Sequence, residues 1–245
     1  MANLPIDVRA LVEAGARLQN QRNLPVRIAV LIELDAPDEL IDAARDGFRA
    51  RTANALVDID VIDPDAQVGV ESSADAAVVI VGSGGYNVVP TLAGLRRRSI
   101  PTVALAIREH PGEIARLLQH PVEDVITGID PAVLVWGGLA DWFMDHVPDK
   151  RVAVAHNFEF TRRAAAKEAV RATAWQNGLI GGVSIIPGTD MPIMTLNQGK
   201  MLLQIAAAYG QHIGPERVKE LAVLVGGGFV FRAFARQALT LVPGF

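Results

Sequence analysis

Thr173–Gly210 reads TAWQNGLIGGVSIIPGTDMPIMTLNQGKMLLQIAAAYG, and no charged side chain falls between Ala172 and Thr189. Pro187 and four glycines (Gly178, Gly181, Gly182, Gly188) lie inside that uncharged run. Its 18 residues stand at the lower limit of a bilayer-spanning helix, and Pro187-Gly188 followed by Asp190-Met191-Pro192 would break it. The stretch therefore predicts a helical hairpin, either buried in protein or dipping into a membrane interface. Thr189 or Asp190 is expected to cap its second helix, with Pro192 in the first turn, where a missing N–H costs nothing. A proton or cation site at Asp190 is the weaker reading. Asn197, Lys200 and Gln204 form a narrow polar stripe on that second helix, so most of its circumference is expected to be buried. Gly210 ends it.

Outward from the hairpin, a helix from about Phe158 to Asn177 places Arg163, Lys167 and Arg171 on one face. A basic amphipathic helix of this kind suits an anionic membrane or an acidic partner, and a solvated face fits it equally. Gly178 and Gly182 would let helices approach closely. On the other side, Pro215–Val223 reads as a further helix, followed by an apolar tail holding Gly226-Gly227-Gly228 and Arg232. Pro148-Asp149-Lys150 marks the best boundary, giving an N-terminal helix at 1–25, an α/β domain at 26–148 and an apolar helical domain at 149–245.

The front half has a different rhythm. Asp7 to about Arg22 recurs at helical spacing, with Gly15 leaving a gap in the apolar stripe. Apolar runs at 26–34, 55–63, 76–83, 101–107 and 122–128 read as strands, alternating with helices at 37–51, 88–98, 111–119 and 131–146. The fold class is therefore α/β: a doubly wound, mainly parallel five-stranded sheet, GTPase-like or flavodoxin-like, with an all-α apolar helical domain behind it.

Ligands of such sheets bind beyond the carboxyl ends of the strands, where strand order reverses. The loop after the first strand, ELDAPDELIDA, carries five acids and no glycine-rich cradle, and would repel a nucleotide. The one glycine-rich loop is Gly82-Ser83-Gly84-Gly85-Tyr86. Its N–H groups could hold an anion at a helix N-terminus, although a strand-to-helix turn needing positive φ is the blander reading. Its spacing matches neither dinucleotide nor phosphate-loop patterns. Arg96-Arg97-Arg98 suits a solvated helix end better than a phosphate clamp. The five histidines show no ligand spacing and are expected on the surface or in loops, and no Ser/His/Asp set assembles. No catalytic residue, cofactor or metal ligand is assigned.

Composition narrows the classes further. Half of the chain is hydrophobic and 20% is charged, and it has no cysteine, which excludes disulfides and thiolate metal sites. The net charge of -4 divides unevenly: 13 basic and 22 acidic side chains precede residue 151, and 10 and 5 follow. Sparse aromatics argue against nucleic acid as a partner. The N-terminus lacks the apolar core of a signal peptide.

The stretches 176–210 and 216–237 carry a Pro-Gly-x-Asp turn, a Gln-x-x-Met helix, a Tyr-Gly end and a Glu-x-x-x-x-x-Gly-Gly-Gly run, in that order. In these the sequence resembles the YcjF-like, GTPase-associated domain of unknown function family, DUF697, over about 151–245. The resemblance assigns family-motif positions to Asn177, Gly182, Pro187, Gly188, Asp190, Pro192, Gln198, Met201, Tyr209, Gly210 and Arg232. It implies a bacterial protein, membrane association and a link to GTPases, without a catalytic residue. Residues 26–130 then stand where a GTPase domain would, with each nucleotide motif replaced: Glu33–Asp38 for the phosphate loop, Asp63-Pro64-Asp65-Ala66 for the magnesium motif, Ala106-Ile107-Arg108-Glu109 for the guanine motif. The chain is also expected to stop short of the last apolar helix of relatives.

These readings predict a pseudo-GTPase scaffold or regulator on the cytoplasmic side of the membrane. It would be peripheral or embedded through its C-terminal helices, or cytoplasmic if those are covered by protein. Its expected partners are a second copy, a GTPase-type protein or a membrane surface. The alternative is a small-ligand or phosphate-binding sensor or enzyme using Gly82, Ser83, Gly84 and Gly85.

Overall fold

Along β1 (Val26–Glu33) the side chains of Val26, Ile28 and Val30 are buried on one face of a sheet and those of Ala29 and Leu31 on the other. An unbroken apolar run is what a strand covered on both sides requires. In the computed structural model, which describes residues 7–62, 70, 73–82, 88–183, 191–225 and 227, this strand is paired on both sides within the first of two compact units. One unit is Arg22–Ala165; the other joins Met1–Gln21 to Ala166–Phe245.

In the first unit β1 pairs with β2 (Ala55–Ile62) on one side and β3 (Ala76–Ile80) on the other. Then follow β4 (Thr102–Ile107) and β5 (Val125–Gly128). All four pairings are parallel and the order is β2-β1-β3-β4-β5. This is the flavodoxin-like doubly wound order, and it is consistent with a GTPase-like domain.

One face of the sheet is covered by α2 (Asp38–Gly47), α6 (Ala140–His146) and α7 (Arg151–Asn157) and by the turn that joins α5 (Pro131–Val133) to α6, through Leu40, Ala44, Phe143, Val154 and, in the turn, Leu134. The other is covered by α3 (Val88–Arg97) and α4 (Pro111–Leu118), through Leu92, Leu95, Ala115 and Leu118. Phe48, Phe143, Phe158 and Phe160 pack edge-on at centroid distances of 5.3 to 6.1 Å around Phe48 and Phe143.

Three details depart from the sequence reading. First, the helix expected over 131–146 is interrupted by a π-helical turn, Leu134–Leu139, between α5 and α6. Gly138 lies there so close to Ile126 of β5 that an added Cβ would meet its Cγ2 at 2.6 Å. Second, the helix α7 was not foreseen. Third, Lys150, in the stretch read as a boundary, is held within the α/β unit: its Nζ bonds Asp75 Oδ1 at 2.6 Å and the Pro25 carbonyl at 2.7 Å. Asp75 in turn accepts from Arg27 N at 2.8 Å, so the ends of β1 and β3 are tied to the start of α7.

The second unit is helical. Asp7 caps α1 (Val8–Arg22), accepting from Ala10 N at 2.9 Å. The gap at Gly15 has a purpose: a Cβ there would sit 3.0 Å from Ile213 and 3.1 Å from Val218. Helix α8 (Arg162–Val183) begins just before this unit and continues into it; α9 (Met191–Ala208) follows, and residues 215–225 are helical again. The end of α9 is a Schellman turn: Gly210 adopts φ 74°, Gln211 N bonds Ala206 O at 2.9 Å and Gly210 N bonds Ala207 O at 3.0 Å. That geometry explains the Tyr209-Gly210 pair in physical terms, because a left-handed residue there favours glycine.

Candidate functional site

Two regions stand out, one in each unit. The first is the crevice between the carboxyl ends of β1 and β3, where strand order reverses in this topology. Glu33, the last residue of β1, points into it and is 4% exposed. Its Oε2 accepts from Gly82 N at 2.7 Å. A Cβ on Gly82 would meet Asp35 Oδ1 at 1.9 Å and the Asp35 carbonyl carbon at 2.8 Å. Glycine is required at 82 because the acidic loop after β1 presses on its backbone. The next helix, α2, opens with Asp38 and Glu39 and has Pro37 at its cap. Negative charge at that helix end complements the macrodipole and opposes an incoming phosphate. So of the expected anion loop, Gly82 already gives its N–H to a carboxylate, while Ser83, Gly84 and Gly85 lie outside the described residues.

Several polar contacts lie toward the amino ends of the strands, away from this crevice. Asp124 Oδ1 accepts from Trp142 Nε1 at 2.8 Å and lies 3.2 Å from His146 Nε2, while His146 Nδ1 lies 3.0 Å from the Trp142 carbonyl. Asp124, Trp142 and His146 thus clamp the turn before β5 to α6. His120 is buried, with Nε2 2.9 Å from the Thr102 carbonyl. His156 is half-buried in α7, and its Nδ1 is enclosed without a hydrogen-bond partner. Burial, then the charges of Arg22, Arg162 and Arg51, hold the His156 imidazole below its ordinary value. His146 and His156 lie half-buried in α6 and α7, which departs from the expectation of surface or loop positions, whereas His120 is in a loop as expected but is buried there.

The second region is the hairpin of α8 and α9. Arg163, Lys167 and Arg171 are exposed on α8, Arg171 paired with Glu168 at 3.4 Å. Beyond Thr173 the helix is largely uncovered: Trp175 is 71% exposed, and Leu179 is exposed with it. Asn177 Oδ1 accepts from Asn197 Nδ2 at 3.0 Å, joining the two helices by a polar contact that fixes their register. A Cβ on Gly181 would lie 3.0 Å from Met194 Cε, whereas one on Gly178 or Gly182 meets no described atom within 4 Å. The close-approach role expected of Gly178 and Gly182 thus falls to Gly181, since 178 and 182 share the outward face of the helix.

On α9, Pro192 is the second residue, Gln198 is exposed and Met201 is half-buried. Full burial follows a stripe of Thr195, Gly199, Leu203 and Ala207, one residue in four, joined at its end by Ala208. Gly199 lets Leu11 of α1 approach, within 2.8 Å of where a Cβ would stand. Ile193 and Leu202 stay exposed, as does Tyr209. The expectation that most of this helix is buried is therefore corrected: small side chains let one narrow stripe do the packing. Pro187, Gly188, Asp190 and Arg232 lie outside the described residues.

Residues 148–242 match the model of the family described as Domain of unknown function (DUF697). This part of the chain is a DUF697 domain. No curated protein and no solved structure matches the chain. The DUF697 match begins at Pro148, so its first residues, including Val154, Phe158 and Phe160, are core of the α/β unit. Trp175 and Glu33 are the two residues that sequence reasoning left unnamed as individuals. The signal for Glu33 was an acid ending a largely apolar strand; for Trp175 it was an aromatic in the uncharged part of a helix.

Proposed function

We propose that this protein is a non-enzymatic, membrane-proximal scaffold or regulator whose DUF697 hairpin docks on an anionic membrane interface. The observation that carries the reading is the exposed apolar surface of the hairpin: Trp175 and Leu179 on α8, the helix that also carries Lys167 and Arg171, and Ile193 on α9. Cations followed by an aromatic and then aliphatic residues suit a helix that meets headgroups with one part and acyl chains with the next.

The uncharged part of α8, from Ala172 to Val183, is about 18 Å long. A hydrocarbon core is about 30 Å thick. Among the described residues no helix is long and apolar enough to cross a membrane. The hairpin therefore enters one leaflet only. In the α/β unit, the carboxylates at Glu33 and Asp35 support the non-enzymatic part of the reading, because they stand where a phosphate would have to go.

Sedimentation of the full chain with vesicles tests this. Binding to vesicles containing phosphatidylserine, weaker binding to phosphatidylcholine alone, and weakening by salt are expected. A chain that stays in the supernatant with both would overturn the proposal.

A further inference from the structure

The sheet has two edges of unequal character. β5 offers four residues, Val125–Gly128, whereas β2 offers eight, Ala55–Ile62. Among the described residues no strand pairs with the outer side of β2. Ala55 and Val57 pack on the core beneath them, but Ile59 is 59% exposed on the same face, and Val61 beside it is also exposed. On the opposite face Asp58 and Asp60 are exposed. A long edge with uncovered apolar side chains is a template for another strand.

Chemistry restricts what that strand can be. Asp60 Oδ1 accepts from Val61 N at 2.9 Å, a bond made within the strand rather than across the ladder. A second copy of β2 laid antiparallel would bring the acids at 58 and 60 against one another, which opposes self-pairing. A strand with apolar residues on the Ile59–Val61 face and basic residues on the Asp58–Asp60 face meets both demands at once. Its carbonyl can replace Asp60 at the Val61 N–H, and its cations can take the released carboxylate.

We propose that the outer edge of β2 binds an extended peptide segment of alternating apolar and basic residues, adding it as a sixth strand. This surface lies in the α/β unit and does not depend on the membrane reading of the hairpin. In such strand addition the main chain supplies affinity and alternate side chains supply specificity.

The test uses the full chain and two capped eight-residue peptides, one alternating Val and Lys and one alternating Val and Glu. Binding is read by fluorescence anisotropy, and its location by amide hydrogen exchange. The Val/Lys peptide is expected to bind and to slow exchange across 55–62, while the Val/Glu peptide does neither. The double variant Asp58→Lys, Asp60→Lys changes only exposed side chains. It should weaken the Val/Lys peptide roughly tenfold or more and admit the Val/Glu peptide. Failure of both peptides, equal affinity for both, or a Val/Lys affinity unchanged in the double variant would each overturn the proposal. So would binding that leaves exchange at 55–62 unaltered.

Discussion

Glu33 and Trp175 occupy opposite extremes, the one 4% exposed and hydrogen-bonded at the end of β1, the other 71% exposed on α8. In the α/β unit, at the place where such sheets receive ligands, the Glu33 carboxylate accepts from the Gly82 N–H. In the helical unit, large apolar side chains are left on the surface of a hairpin whose interhelical contact is made by Asn177, Asn197 and Gly181. The difference teaches that the two units leave different groups to solvent: at the switch point a carboxylate is already bonded to backbone, while on the hairpin large apolar side chains stay uncovered.

The contrast breaks most sharply through two aromatic truncations of similar size. Phe160 is buried and packs edge-on against Phe48 and Phe143. Phe160→Ala should cost the α/β unit about 3–5 kcal/mol, the transfer and cavity terms together. Chemical denaturation followed by circular dichroism measures this. A loss under about 1 kcal/mol would show that the start of the DUF697 segment is not part of that core. Next in size, Glu33→Ala strands the Gly82 N–H and should cost about 1–3 kcal/mol, whereas Glu33→Gln keeps an acceptor and should cost less. Equal losses for the two variants would mean that volume, not the hydrogen bond, matters at the crevice.

Trp175→Ala sharpens the other side of the comparison. Removing an exposed side chain should change folding stability by no more than about 0.5 kcal/mol. If Trp175 enters the bilayer interface, the same change should lower vesicle affinity by roughly tenfold, from the apolar burial it forfeits. An unchanged affinity would remove Trp175 from the docking surface and leave Leu179 and Ile193 as the residues to test.

Most of the α/β architecture was legible because the strands are dominated by apolar residues, with Asp58 and Asp60 of the edge strand β2 the main exceptions, which leaves little choice but a parallel sheet between helices. Val26–Glu33 and Ala76–Ile80 fell almost where periodicity put them. The π turn was not legible, since it depends on how closely Gly138 meets Ile126, a contact between elements. Nor was α7, because His156 and Asn157 interrupt an apolar pattern for reasons visible only in the fold: Asn157 Oδ1 accepts from Thr52 at 2.6 Å, 105 residues away in sequence. At the crevice, the acidic loop was legible as a feature hostile to phosphate, but the Glu33 bond to Gly82 was not. On the hairpin, helical periodicity showed an apolar cylinder without showing which stripe is covered. The stripe chosen on α9 is the one with the smallest side chains, because packing distance selected it and hydrophobicity did not.

The smallest effect lies at His156, and its sign follows from proton counting. Burial and three nearby arginines lower the folded-state value beneath the ordinary value of 6.5. The unfolded chain therefore binds a proton at a higher pH than the folded chain does. Stability must fall as pH drops from about 6.5 toward the lowered value, and below that value the loss is complete. Above 6.5 the imidazole is neutral in both states and contributes no slope. Because the group is only partly buried, the effect is modest, and a single titration of the wild type would mix it with every carboxylate. Comparing denaturation midpoints of wild type and His156→Asn between pH 7.5 and 5.5 isolates it, since the variant lacks the ionisable ring. The variant should lose less stability over that interval. A parallel decline in both proteins would place the proton uptake elsewhere and show that the arginines around His156 are neutralised by other partners.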